Sequence, residues 1–203
     1  MLKLAILISN AGTGTNLQAI IDAIESSILK AKIVIVVSGN ADAYGVQRAK
    51  KHNIPYFIAG KNDEIEKTLS RDYDVDIIVL AGWKRIITQS MINTFRNRIL
   101  NLHPGLIPDT MNGHVYNPDK TLGLWNKGMM TEKAIQNFLT NKSTYAGSTV
   151  HYLSNEFDFG KVLARCFEKI KKNDTVETLY MRLKKKENQI YINSLIQLAK
   201  ANP

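Results

Sequence analysis

The feature that most constrains this chain is a repeated alternation of short, nearly continuous apolar runs with amphipathic segments. Residues 2–8 read LKLAILI, residues 32–37 KIVIVV and residues 77–81 IIVLA. The first run leads through a polar glycine loop to Leu17, Ile20, Ile21 and Ile24 at helical spacing, and the second leads through Ser38, Gly39 and Asn40 to Tyr44, Val46 and Ala49. A strand that is apolar at nearly every position, rather than at every second one, must be covered on both faces. Such strands, joined by helices, build a parallel sheet. The expected fold class is α/β: an open, mostly parallel sheet with helices on both faces.

The rest of the chain extends this pattern. A short strand is expected over 55–58, a helix around 65–69, another around 90–95 and a strand over 99–102. Residues 108–128 are rich in Gly, Asn, Pro and Asp without a clear period and read as a long loop, a length that in compact domains accompanies function or mobility. A helix over 131–139, two strands over 148–153 and 162–170 flanking a turn at 157–160, and a closing helix over about 176–199 complete the order. With 203 residues and 44% apolar content, a single domain spanning 1–203 with one core is expected.

The 27 Lys and Arg exceed the 18 Asp and Glu, for a formal charge of +9, which would attract phosphates, polyglutamate tails or nucleic acid alike. Much of the excess sits at Lys169, Lys171 and Lys172 and in residues 182–186, interrupted by Asp174 and Glu177. Few aromatics are interleaved for base stacking, so two solvated faces are expected rather than a nucleic-acid groove. The lone Cys166 excludes an internal disulfide framework, the first thirty residues lack a secretory signal, and no apolar run reaches the roughly 18 residues of a membrane span. A cytoplasmic protein with no membrane partner is expected. His52, His103, His114 and His151 are too scattered for metal-ligand spacing, so no metal is expected, and a Gly-x-Ser-x-Gly elbow is absent.

Three places can carry chemistry. Gly12, Thr13, Gly14, Thr15 and Asn16 lie between a buried strand and a helix, where backbone N–H groups and the helix dipole favour an anion. The loop lacks the third glycine of a dinucleotide fingerprint and the Gly-Lys-Ser/Thr of a P-loop, and is either a phosphate cradle or a tight turn. In Asn101-Leu102-His103-Pro104, strand alternation points Asn101 and His103 to one side. Together they could stabilise an oxyanion; alternatively His103 closes the turn at Pro104 and Gly105. Asp158, in Glu156-Phe157-Asp158-Phe159-Gly160, is a carboxylate among aromatics. Paired with His103 it would raise the imidazole's pKa and keep it protonated; otherwise it is a solvated turn residue. His151, on a strand, suits a core position or a ligand equally.

Five ordered segments carry a resemblance: Leu7-Ile8-Ser9 with residues 14–20; residues 38–45 (SGNADAYG); Val79-Leu80-Ala81-Gly82 with Arg85-Ile86; Asn101-Leu102-His103-Pro104; and residues 147–151 (GSTVH) leading to Asp158 and Gly160. The chain resembles the folate-dependent formyltransferases, and among them the phosphoribosylglycinamide formyltransferases (glycinamide ribonucleotide transformylases) of de novo purine biosynthesis, over nearly its whole length. The resemblance implies a Rossmann-like sheet with a phosphate-binding half at about 1–100 and a folate and catalytic half at about 101–203. It implies that the substrate phosphate rests on Gly14, Thr15 and Asn16, and that its amine and ribose meet Lys184, Lys185, Lys186 and Glu187. The co-substrate 10-formyltetrahydrofolate is implied at Lys84, Arg85, Ile86, Ile87 and Asn101, and at Ser154, Asn155, Glu156, Phe157 and Asp158. The implied reaction is formyl transfer to the amine of glycinamide ribonucleotide, with Asn101 and protonated His103 stabilising the oxyanion and Asp158 keeping the imidazolium charged and helping to remove the amine proton through water. Small-molecule substrates and a monomer or homodimer are expected.

Three departures from the family pattern stand out: Phe159 where glycine is usual, Lys84 where an apolar residue is usual, and a longer segment at 109–145. Rival readings are another user of 10-formyltetrahydrofolate, such as a methionyl-tRNA formyltransferase or a formyltetrahydrofolate deformylase, and a non-catalytic nucleotide- or RNA-binding module. At 203 residues, neither the extra C-terminal domain of the first nor the N-terminal regulatory domain of the second is expected, so length favours the glycinamide ribonucleotide reading. Asn101, His103 and Asp158 together argue against the non-catalytic module.

Overall fold

The computed structural model describes residues 1–9, 14–61 and 63–201, so Gly12 and Thr13 of the glycine loop lie outside the described residues. The elements run β1 (Leu2–Ile8), α1 (Thr15–Glu25), β2 (Ala31–Ser38), α2 (Tyr44–Lys51), β3 (Tyr56–Ile58), α3 (Ile65–Asp72), β4 (Ile77–Ala81) and α4 (Gln89–Thr94). They continue with β5 (Ile99–His103), α5 (Thr131–Thr140), β6 (Tyr145–Tyr152), β7 (Val162–Lys169) and α6 (Val176–Ala201). The strands are ordered β3-β2-β1-β4-β5-β6-β7. β1 pairs in parallel with β2 and β4, β2 in parallel with β3, and β6 antiparallel with β7. This is the mostly parallel α/β sheet that the apolar runs predict.

Backbone contacts group the chain into two compact units, one of Met1–Leu100 with Leu195–Pro203 and the other of Asn101–Ser194. In the first unit, Leu4, Ala5, Ile6 and Leu7 are all fully buried, so consecutive side chains on opposite faces of β1 are both covered. Leu17 and Ile20 of α1, Val46 and Ala49 of α2 and Leu69 of α3 supply buried apolar stripes. Because β2 lies on one side of β1 and β4 on the other, the chain reverses direction across the sheet at β1/β4. In open α/β sheets, ligands bind at the carboxyl ends of the strands beside such a reversal. The segments leaving β1 and β4 carry Ser9 and Gly14, and Trp83 to Ile87, respectively.

The second unit has its own core, in which Ile135 and Phe138 of α5, Ala146 of β6, Cys166 of β7 and Leu179 and Leu183 of α6 pack together. Burial and the nearby Glu187 push the Cys166 thiol up to about 12, which makes it an inert core residue. β6 begins at Tyr145, three residues before the expected strand, because Tyr145 still pairs with Lys169 of β7. Within 108–128, Tyr116 bridges Leu122, and the Asn117 N–H donates to the Thr121 carbonyl at 2.8 Å, so part of the long loop is a closed turn.

Of the expected solvated face at 182–186, Lys185 and Lys186 are exposed, whereas Arg182 and Lys184 are half-buried. Arg182 donates to Glu168 at 2.8 Å and to both carboxylate oxygens of Asp174 at 2.8 and 2.6 Å, and Lys186 reaches Glu168 at 2.8 Å. These ion pairs hold Arg182 half-buried against Glu168 and Asp174, while the Lys186 side chain stays 49% exposed.

Candidate active site

In the first unit, Gly14 forms the N-terminus of α1 with φ 68°, and no side chain caps the helix. The first turn holds no acidic residue, leaving the positive end of the dipole uncompensated. Among the described residues, the Thr15 Oγ1, Asn16 Oδ1 and Ser9 Oγ atoms are buried without a hydrogen-bond partner. A Cβ on Gly14 would stand 3.1 Å from Arg48 Nε, so a guanidinium lies beside the start of the helix. Sequence reasoning passed over Arg48, which sits on α2 and reaches Gln18 of α1 at 2.6 Å.

A cavity of about 360 Å³ opens at the carboxyl ends of the same unit's strands, lined by Ser9, Gly39, Ala59, Gly60, Lys61, Trp83, Lys84 and Arg85. The Trp83 Nε1 atom is buried without a partner. With Ser9 Oγ this gives two unused hydrogen-bond donors on residues lining the cavity, as a site for a polar organic ligand requires. Arg85 is committed: its guanidinium donates to the Ala59 carbonyl at 3.0 Å and the Gly60 carbonyl at 2.6 Å, and stacks on Trp83 at 5.1 Å. Lys84 is exposed, Ile87 is half-buried, and the apolar Ile86 is 87% exposed.

In the second unit, β5 ends with Asn101 and His103, as strand alternation predicts. The Asn101 amide lies 3.2 Å from His151 Nε2. His151 Nδ1 is 3.0 Å from the Tyr152 carbonyl, which can only accept, so Nδ1 carries the proton and Nε2 accepts from Asn101. Burial and the neighbouring His103 push the His151 imidazole down to about 3. It is therefore neutral, and it takes one of the two amide hydrogens of Asn101. The sequence left His151 between core and ligand; the geometry makes it the support of Asn101.

His103 Nε2 lies 2.7 Å from the Trp125 carbonyl, which fixes the proton on Nε2, and its Nδ1 faces Asp158 Oδ1 at 3.7 Å. Asp158 in turn accepts from the Gly128 N–H at 2.7 Å, and its backbone has φ 48°. Asp158 acts on the imidazole in the expected direction. Asp158 and the Trp125 carbonyl do raise the pKa, but burial outweighs them and the net shift is downward. Nδ1 is turned toward the carboxylate.

The other expected residues are placed as follows. Ser154 Oγ donates to the Phe159 carbonyl at 2.8 Å, which holds the turn from which Asn155, Glu156 and Phe157 are exposed. Glu187 is buried and accepts from Ser148 Oγ at 2.6 Å, and burial raises its carboxyl above the usual range. Lys184 lies over the Tyr180 ring at 5.2 Å, and burial lowers its amine. Lys185 is exposed, and Lys186 is engaged by Glu168.

Residues 2–195 match the family described as Formyl transferase. The chain belongs to the formyl transferase family. This formyl transferase is 36% identical over 200 residues to the phosphoribosylglycinamide formyltransferase of Haemophilus influenzae, covering 94% of this chain and 84% of that protein. It is 33% identical to the protein of the same name from Dictyostelium discoideum, covering 95% and 96%. Its fold matches the crystal structure of glycinamide ribonucleotide transformylase 1 from Symbiobacterium toebii with a TM-score of 0.83 and 29% identity, covering 99% of this chain and 89% of that one. The resemblance read from five short segments is thus borne out at the level of family and fold.

Proposed function

We propose that this formyl transferase moves the formyl group of 10-formyltetrahydrofolate onto the amine of glycinamide ribonucleotide, the formylation expected in de novo purine biosynthesis. The observation that carries the reading is the convergence of Asn101, His103 and Asp158 in one unit, in a chain whose relatives bear the name of that activity.

The donor supplies an activated one-carbon unit at the formyl level. Attack of the amine nitrogen on the formyl carbon leaves a tetrahedral oxyanion, and the free N–H of Asn101 donates to it, an interaction worth about 3 to 4 kcal/mol. The attacking nitrogen must lose a proton. His103 receives it at Nδ1, and Asp158 stabilises the imidazolium so formed. As the intermediate collapses, the C–N bond to the folate N10 breaks and that nitrogen takes the proton back from His103, so the dyad ends as it began. This sequence replaces an imidazolium present from the start with one that exists only during the reaction.

The substrate phosphate is assigned to Gly14, Thr15 and Asn16 at the uncapped end of α1, with Arg48 adding positive charge. Lys184 and Glu187, the inward-facing members of 184–187, are assigned to the amine and ribose side. The folate is assigned, as the resemblance implies, to residues 84–87 and 154–158; in the first unit the unpaired donors of Ser9 and Trp83 and the uncovered Ile86 fit a ligand with polar edges and an apolar ring. We assign the whole of 1–203 to one cytoplasmic formyltransferase domain acting on small molecules as a monomer or homodimer. An acceptor competition tests the reading: with 10-formyltetrahydrofolate as donor, glycinamide ribonucleotide should be formylated in preference to methionyl-tRNA or water. Preference for either of the others would overturn it.

A further inference from the structure

Two departures of this sequence from the family pattern, the long 109–145 segment and Phe159, meet in one place. The Trp125 and Phe159 rings pack with centroids 5.8 Å apart, and the Trp125 Nε1–H donates to the Asp158 carbonyl at 3.0 Å. The same short stretch touches both titratable groups of the dyad through its backbone. The Trp125 carbonyl accepts from His103 Nε2 at 2.7 Å, and the Gly128 N–H donates to Asp158 Oδ2 at 2.7 Å.

What fixes this stretch is Asn126. It is 5% exposed and has φ 56°, a left-handed conformation that asparagine tolerates better than most residues. Its amide nitrogen donates to the Pro104 carbonyl at 3.0 Å and the Ala134 carbonyl at 3.3 Å, and its Oδ1 accepts from Asn137 at 2.9 Å. Both donors and the acceptor are therefore used, tying the stretch to the end of β5 on one side and to α5 on the other. The close approach is possible only because residue 105 is glycine, since a Cβ there would overlap the Trp125 carbonyl oxygen.

We propose that Asn126 is a positioning residue: by locking residues 125–128 it holds His103 in its Nε2–H tautomer and turns the Nδ1 lone pair toward Asp158. The proposal rests on the reading of Asn101, His103 and Asp158 as the catalytic group. Its physical basis is that a carbonyl cannot donate. In the opposite tautomer, the Nε2 lone pair would face the Trp125 carbonyl oxygen at 2.7 Å, much closer than the 3.7 Å at which the Nδ1 lone pair meets Asp158, and Nδ1 could not receive the amine proton. The charged and titratable groups described around the imidazole are Asp158 on the β6–β7 connection, His151 on β6 with its ring centroid 6.4 Å away, and Lys127 above the Trp125 ring.

Long-range ¹H–¹⁵N correlation of the imidazole nitrogens of the full chain reads the tautomer directly and without substrate. The wild type is expected to show His103 as the Nε2–H form at neutral pH. Asn126→Gly keeps a backbone free to adopt positive φ and deletes all three hydrogen bonds. It is expected to give mixed tautomers and to lower kcat about ten- to a hundredfold while leaving the KM of the folate donor little changed. Asn137→Ala, which removes one of the three bonds, should shift both readouts less and in the same direction, and serves if Asn126→Gly fails to fold. An Nδ1–H tautomer in the wild type, or an unchanged tautomer and kcat in a folded Asn126→Gly or Asn137→Ala, overturns the proposal. A locked tautomer in a chain that transfers no formyl group would sink the reading of the site and not the lock.

Discussion

His103 Nδ1 and Asp158 Oδ1 face each other across 3.7 Å, too far for a direct hydrogen bond and close enough for a strong charge interaction once the imidazole gains a proton. Such an arrangement favours accepting a proton during the reaction over holding one beforehand. Burial lowers the imidazole's pKa in the resting enzyme, and the carboxylate stands ready to stabilise the charge that appears later.

Asp158→Asn is expected to retain a bond to the Gly128 N–H through its amide oxygen while losing the charge. Asp158 raises the His103 pKa, so the variant should move the acid limb of the kcat/KM profile to lower pH and reduce the rate about 10²- to 10⁴-fold. Steady-state kinetics across pH check this. An acid limb that moves upward would contradict the account.

Burial lowers the pKa of both His103 and His151, and for His151 the folded value of about 3 lies well under its ordinary 6.5. Below 6.5 the unfolded chain binds protons that the folded chain refuses. The stability these groups contribute is therefore complete above 6.5 and is lost as pH falls from there through the folded values, at up to about 1.4 kcal/mol per pH unit for each group. Thermal denaturation over the acid range should show the fall, and His151→Gln should flatten it.

Glu187 presents the opposite sign. Its carboxyl is buried and its pKa raised, chiefly by that burial, so the cost of the charged form is absent below the usual carboxyl value and grows as pH rises through the folded one. Glu187→Gln can still accept from Ser148. It is expected to leave the melting temperature at neutral pH unchanged or higher, by about 1 kcal/mol of stability, while raising the KM for the amine acceptor. Calorimetry and acceptor titration together separate the two effects.

Gly105→Ala places a methyl group against the Trp125 carbonyl and within 2.9 Å of His103 Nε2. Because backbone must shift to admit it, a loss of about 1 to 3 kcal/mol in stability and a lower kcat are expected together. A variant with wild-type melting and turnover would show that the 125–128 stretch can move away without consequence.

The strands of the first unit were legible because their burial on both faces makes the sequence itself continuous in apolar residues, as at Leu4, Ala5, Ile6 and Leu7. Asn101 and His103 were legible for a similar local reason, since strand alternation alone sets them on one side. The downward pull on the His103 pKa was not legible, because it comes from burial produced by residues distant in sequence. Trp125, Asn126 and Gly128 act through main-chain atoms, which leave no signature of side-chain type, and they lie in a segment without a period. Their one visible trace was that the segment and Phe159 both depart from the family pattern, and the two departures prove to be a single contact.

The most direct test of the central claim is formyl transfer from 10-formyltetrahydrofolate to glycinamide ribonucleotide by the wild type and by His103→Ala, with donor binding measured on both by calorimetry. The account predicts efficient transfer by the wild type and a loss of turnover in the variant of about 10²-fold or more, with donor affinity retained. Wild-type turnover in His103→Ala, or no transfer by the wild type to this acceptor, would contradict it.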